Sequence, residues 1–143
     1  MDIYTKKFQH LNNKVTSLND WFNEKKDKDL YVNHDEIYLL PSDQIGMIEF
    51  LLQNLNVRYA GTQVATIKKN DLIPAHALVL SVHLNKDFFP SLSLNHEEAL
   101  KYLRKEDFKK EVTAKGWLLA KYQETPLGWL KSLGNRFNNY YPV

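Results

Sequence analysis

Hydrophobic residues recur at helical spacing near the start of the chain. Phe8, Leu11 and Val15 stand three and four residues apart, which places their side chains on one face of a helix. The pattern predicts an amphipathic helix over residues 6–23. The charged run over residues 24–29 is typical of a solvated turn.

Two strands and a helix are predicted next. Residues 30–32 and 36–40 are apolar-rich and flank a polar tripeptide, as in a hairpin. Apolar residues then repeat at helical spacing from Ile45 to Leu55, and Ser42 is the expected N-cap of this helix.

A strand, a turn at Gly61 and a second strand are predicted over residues 57–67. Pro74 suits the first turn of a third helix, because a missing N–H is not needed there. This helix is expected to continue to Val82.

The last third of the chain carries clear local signals. Residues 91–94 predict a short strand, and Asn95 followed by Glu98 predicts a capping box at the start of a fourth helix. Residues 104–115 are charged and indicate a turn-like segment. Strands are predicted over residues 117–122 and 127–133, with a hairpin turn over residues 124–126. Helices and strands alternate without a regular βαβ rhythm, which favours an α+β fold.

Composition excludes several classes of protein. The chain has 143 residues, 43% of them hydrophobic and 13% aromatic, which is enough to build a packed core. It has no Cys, so disulfides and cysteine nucleophiles are excluded. No apolar run approaches the roughly 20 residues of a membrane span, and the N-terminus has no apolar signal core. A cytoplasmic location and no membrane partner are therefore expected.

Positive charge is concentrated towards the C-terminus. The net charge is +2, but residues 115–143 contain four basic residues and a single acidic one, Glu124. A polyanion-binding surface, if present, is expected in this part of the chain.

No catalytic or cofactor motif stands out. The five glycines are scattered and form no phosphate-binding loop. His76 and His83 could share a helix face, but no third ligand stands at suitable spacing, so no metal is expected.

The C-terminal residues interleave aromatic rings, cations, amides and glycines. This mixture suits RNA, because cations meet phosphates, rings stack on bases and amides bind sugar or base edges. Strands favour aromatic residues in any case, so the residues alone leave a purely structural role equally open.

A series of short motifs in fixed order resembles the C-terminal region of Sun-family, RsmF-like ribosomal RNA cytosine-C5 methyltransferases. The matches in chain order are Pro74–Leu78, Glu97–Arg104, Gly116–Trp117, Leu127–Lys131, Gly134–Asn135 and Asn139–Pro142.

The resemblance implies a PUA-like mixed β pseudo-barrel with flanking helices over residues 73–143. A small α+β domain over residues 1–72 precedes it. The implied function is a non-catalytic RNA-binding module that positions ribosomal RNA for a linked methyltransferase domain. The family's catalytic domain holds S-adenosylmethionine and the catalytic cysteines, so no cofactor and no catalysis are expected of this chain itself.

Eight residues are the predicted RNA contacts, each with an expected role. Phosphate contacts are assigned to Lys115, Lys121, Lys131 and Arg136, stacking to Trp129 or Tyr140, and sugar or base contacts to Asn135 and Asn139. Two departures from the family pattern matter. Asn138 stands where Lys is frequent, so one phosphate contact is expected to be absent, and relatives usually continue past Tyr-Pro, so a longer parent protein is expected.

Two alternatives stay open. The aromatic C-terminal end could be the hot spot of a protein-interaction domain that docks on the catalytic domain or on a ribosomal protein. A stand-alone enzyme would instead need a deep pocket with converging titratable groups.

Overall fold

The computed structural model describes residues 3–4, 17–23 and 26–143, which form two β-sheets joined and flanked by short helices. The predicted helix over residues 6–23 lies mostly outside the described residues. Its described end, Ser17–Trp21, is a 3₁₀-helix that buries Leu18 and Trp21.

Five described strands form the N-terminal sheet, in the order β1-β2-β3-β4-β5. They are β1 (Ile3–Tyr4), β2 (Lys28–Asn33), β3 (Glu36–Pro41), β4 (Thr62–Lys68) and β5 (Asp71–Pro74). β1 runs parallel to β2, and the other neighbours are antiparallel. The predicted strands at 30–32 and 36–40 are confirmed, and both bury apolar side chains.

Four described strands form the C-terminal sheet, in the order β6-β7-β8-β9. They are β6 (Ser91–Ser93), β7 (Gly116–Tyr122), β8 (Thr125–Ser132) and β9 (Phe137–Asn139). β6 is parallel to β7, and the other pairs are antiparallel. The predicted hairpin is confirmed, but its turn is Gln123 and Glu124, both with positive φ, rather than residues 124–126.

Three α-helices occur in the described chain. They are α1 (Ile45–Asn54), α2 (His76–Val79) and α3 (His96–Leu103). The capping box of α3 is confirmed: Asn95 Oδ1 accepts from Glu98 N–H at 2.9 Å, and Asn95 N–H donates to Glu98 Oε2 at 2.9 Å. The residues 104–115 that follow α3 have little regular structure, as predicted.

Three local predictions are wrong. Ser42 begins a 3₁₀-turn (Ser42–Gln44), and no side chain caps this turn or α1. Residues 57–60 are not a strand, and β4 begins only after Gly61, whose φ of +78° makes the turn. Pro74 ends strand β5, which lies at a sheet edge where a residue without an N–H is tolerated, and the helix that follows ends at Val79 rather than Val82.

The largest hydrophobic cluster contains residues of both sheets. It includes Leu30, Val64, Leu119 and Trp129, together with Leu78 of α2. A second cluster packs under α3 on the other face of the C-terminal sheet, and a third packs between α1 and the N-terminal sheet. The proposed boundary between residues 72 and 73 stays a prediction.

The α+β class is confirmed. Both sheets are mostly antiparallel, as in a PUA-like β-fold, and they do not close into a barrel within the described residues.

Candidate nucleic-acid interface

Trp129 lies at the centre of the C-terminal sheet and is 0% exposed. Its ring packs against Phe89 at a centroid distance of 4.6 Å, and its Nε1–H donates to the carbonyl oxygen of Ala75 at 2.9 Å. A base cannot reach a ring that is fully enclosed by the core. The structure therefore corrects the prediction that Trp129 is available for stacking.

Asn139 is also held by contacts inside the protein. Its Nδ2 donates to the carbonyl oxygen of Tyr102 at 2.7 Å, and its Oδ1 accepts from the N–H of Tyr141 at 2.8 Å. The first bond ties the C-terminal segment to α3, and the second is a local contact within that segment. In this arrangement Asn139 has a structural role, and its predicted role in reading sugar or base edges stays a prediction.

Lys131 and Tyr140 both contact Trp117 on one face of the C-terminal sheet. Lys131 stands opposite Trp117 in the β7–β8 ladder, with its Nζ 5.3 Å from the centre of the indole ring. The Trp117 ring packs edge-on against Tyr140 at 4.7 Å. Lys131 Nζ also lies 4.0 Å from Asp71 Oδ2. Such a long ion pair with an exposed carboxylate stabilises little, so a phosphate could replace Asp71 as the partner of Lys131.

The other predicted cations lie at two places. Lys115 precedes β7, and its Cε approaches Gly134, where an added Cβ would lie 3.1 Å away. This brings Lys115 to the β8–β9 turn that carries Asn135 and Arg136, both exposed. Lys121 lies near the opposite end of β7, beside Pro126. The structure therefore brings Lys115, Asn135 and Arg136 together but sets Lys121 apart.

A groove of about 990 Å³ opens beside this turn. One wall is the segment 105–113 after α3, and the other is the segment 134–139, which contains the β8–β9 turn and β9. We call it the α3–β9 groove. Phe108 and Phe137 lie on opposite walls with ring centroids 4.9 Å apart, so their contact joins the two walls.

The α3–β9 groove carries both signs of charge. Its acidic side chains are all on the first wall, whereas Arg136 is the charged residue of the second. The charged lining residues are Lys105, Glu106, Asp107, Lys109, Lys110, Glu111 and Arg136. Lys110 Nζ is bound to Glu98 Oε2 at 2.6 Å, while Lys105, Lys109 and Arg136 form no ion pair within the described part of the chain.

Glu98 links this groove to the start of α3. Burial opposes ionisation of the Glu98 carboxyl, but hydrogen bonds from Lys110 and from the N–H of Asn95 outweigh it and lower the pKa. Lys110 therefore stays bound to the capping-box residue Glu98. It anchors the first wall of the groove and is not a free cation.

Sequence reasoning missed most of this groove. Segment 105–113 lacks hydrophobic periodicity, and its charges are typical of a solvated turn. The available signal was Phe108, a large aromatic residue inside a run of lysines and carboxylates.

Residues 89–143 match the family model for the PUA domain of methyltransferase RsmF. This segment is a PUA-like region of the RsmF type. It contains the whole C-terminal sheet, α3, both walls of the α3–β9 groove and all eight predicted contact residues. No curated protein matches the chain. A PUA domain is a non-catalytic RNA-binding module, so the PUA-like region indicates an accessory role in RNA binding.

The remaining chemistry of the described residues is sparse. They contain no group of three side chains suited to a metal ion, and none of their helices is long and apolar enough to cross a membrane. His76 packs edge-on against Tyr141 at 5.2 Å, and burial lowers its pKa. His83 lies beyond the end of α2, with its Nδ1 3.1 Å from Lys28 Nζ.

Proposed function

We propose that this chain is a non-catalytic RNA-binding module that positions ribosomal RNA for a linked cytosine-C5 methyltransferase domain. The observation that carries the proposal is the match of residues 89–143 to the RsmF PUA domain. The five glycines are scattered through the sequence, so S-adenosylmethionine would be held by the linked domain rather than by this chain. The module would act in ribosome biogenesis in the cytoplasm.

The positions of the cations support an RNA partner. Arg136 is exposed at the β8–β9 turn with Lys115 beside it, and Lys131 lies on one face of the same sheet with only a long ion pair to Asp71. These residues offer phosphate contacts. Tyr140, partly buried against Trp117, is the remaining candidate for stacking after the burial of Trp129. Lys121 would contribute at the distal end of β7.

The test is a titration of the chain with a structured ribosomal RNA fragment at about 50 and about 200 mM salt. We expect binding that weakens with salt, with a log–log slope of about −0.7 for each single-strand phosphate contact. The double variant Lys131→Ala with Arg136→Ala should bind more weakly and show a smaller slope. No binding at low salt, or binding that this double variant leaves unchanged, would contradict the proposal.

The alternative of a protein-interaction domain predicts a contiguous apolar surface around Trp129 and Tyr140. Burial of Trp129 removes the centre of that surface. A pull-down with a separately produced methyltransferase domain would distinguish the two functions, since tight binding of that domain without RNA affinity would favour docking alone.

A further inference from the structure

We propose that the α3–β9 groove binds an unpaired segment of RNA, which deepens the proposed RNA-binding function and rests on it. Three features of the groove favour such a ligand: cations without ion-pair partners, a pair of aromatic rings, and carboxylates that a purely phosphate-binding surface would lack.

The cations lie on both walls. Lys105 and Lys109 are exposed on the first wall, and Arg136 is exposed on the second. None of the three forms an ion pair with another described residue. Since they are not neutralised within the protein, they can follow the phosphates of a strand lying along the groove.

The aromatic pair supplies a place for bases. Phe108 and Phe137 are partly buried, line the groove and contact each other at 4.9 Å. Their inner atoms pack on the second hydrophobic cluster, which fixes the rings in place. Rings held in this way lose little entropy when a base stacks on them, and such stacking is indifferent to base identity.

The carboxylates favour an unpaired strand over a duplex. Glu106, Asp107 and Glu111 line the same wall as the lysines and would repel a densely charged duplex backbone. A carboxylate can, however, accept hydrogen bonds from the amino groups of bases, as it does from cytosine N4. In an unpaired strand these amino groups are free, and Asn135 and Asn138 on the other wall offer further polar contacts.

The experiment compares two fluorescent probes on the full chain: an unpaired RNA of about ten nucleotides and a duplex of the same length. Fluorescence anisotropy at about 50 mM salt measures both affinities. We expect the unpaired probe to bind more tightly than the duplex. Equal or tighter binding of the duplex would overturn the proposal.

The cations are tested with Lys109→Ala combined with Arg136→Ala. The matched control is Lys68→Ala combined with Lys86→Ala, which removes the same charge from exposed residues outside the groove. We expect the groove variant to bind the unpaired probe about tenfold more weakly and the control to change binding less than about twofold. Equal losses in both variants would mean that net charge alone governs binding, which would overturn the groove as the site.

The rings are tested with Phe108→Leu and Phe108→Tyr. Both keep an apolar body in the second cluster, but only Tyr keeps the ring. We expect Leu to weaken binding of the unpaired probe about tenfold and Tyr to leave it nearly unchanged. Thermal unfolding of each variant checks that the fold is retained, and equal affinities of folded Leu and Tyr variants would contradict stacking at Phe108.

The outcomes separate the two proposals. If neither probe nor the structured ribosomal fragment binds at low salt, the proposed function fails. If the structured fragment binds and responds to Lys121→Ala and Lys131→Ala but not to the groove variants, RNA binding stands and the α3–β9 groove is not its site.

Discussion

The two halves of the molecule place their aromatic residues differently. In the N-terminal sheet, Tyr31 and Tyr38 stack at 5.1 Å beneath α1, while Phe50 on the outside of that helix is 63% exposed. In the C-terminal half, Trp129 is sealed in the core of the sheet, whereas Phe108 and Phe137 line a groove. An abundance of rings therefore does not define a binding surface; the elements on which the rings stand decide which ones a ligand can reach.

The halves also differ in charge. Residues 1–75 carry one more acidic than basic side chain, whereas residues 76–143 carry three more basic than acidic. The accessible rings of the α3–β9 groove lie in the basic half, and the exposed ring of Phe50 lies in the acidic half. This association of rings with cations is what separates a surface suited to RNA from an apolar one.

The largest expected difference in stability is between removing a buried ring from the C-terminal half and removing an exposed ring from the N-terminal half. Trp129→Ala should lower the free energy of unfolding by about 3–5 kcal/mol, because it leaves a cavity in the core shared by both sheets. Phe50→Ala should change it by less than about 0.5 kcal/mol. Urea unfolding measures both, and a loss below about 1 kcal/mol for Trp129→Ala would mean that its ring is not enclosed as described.

Two glycines, one in each half of the molecule, are expected to give stability changes of intermediate size. A Cβ at Gly128 would overlap the hydroxyl of Tyr102, so Gly128→Ala should cost about 1–3 kcal/mol of stability. A Cβ at Gly46 in α1 meets nothing within 4 Å, so Gly46→Ala should stabilise the chain by up to about 1 kcal/mol. Thermal or urea unfolding would settle the signs, and a neutral Gly128→Ala would show that Tyr102 can move aside.

The smallest expected difference concerns helix starts. Asn95→Ala removes a hydrogen bond to the N–H of Glu98 and should cost about 1 kcal/mol. Ser42→Ala removes no cap and should change stability by less than about 0.5 kcal/mol. If both substitutions cost the same, a cap at Ser42 forms in solution after all.

The features that the sequence predicts best are those set by neighbouring residues. The capping box needs only Asn95 and Glu98, three positions apart, and it forms as predicted. Ser42 has the right type for a cap, but the chain enters α1 through a 3₁₀-turn, which moves the start of the helix to Ile45. Pro74 is equally compatible with the first turn of a helix and with an edge strand. Only the pairing of β5 with β4 decides between the two.

The candidate site was predictable only in part, because it depends on contacts between distant segments. Strand alternation gives Trp129 two possible faces, and the packing of one sheet against the other decides that it is buried. Lys115, Asn135 and Arg136 were predicted from the cations and amides of the last residues and from the family resemblance, and the structure brings them together. The sequence does not predict Lys105, Lys109 and Phe108 as part of the site. Their position depends on the contact between Phe108 and Phe137, which no spacing in the sequence reveals.

The connection between β7 and β8 has a consequence for protein engineering. Gln123 and Glu124 both adopt left-handed backbone angles, a conformation that costs residues other than glycine about 1–2 kcal/mol each. The paired strands on either side must therefore set the register of this hairpin, because the left-handed backbone angles make the loop itself unfavourable. A loop that contributes so little to folding is a suitable place to insert a short tag or a fluorophore-bearing residue.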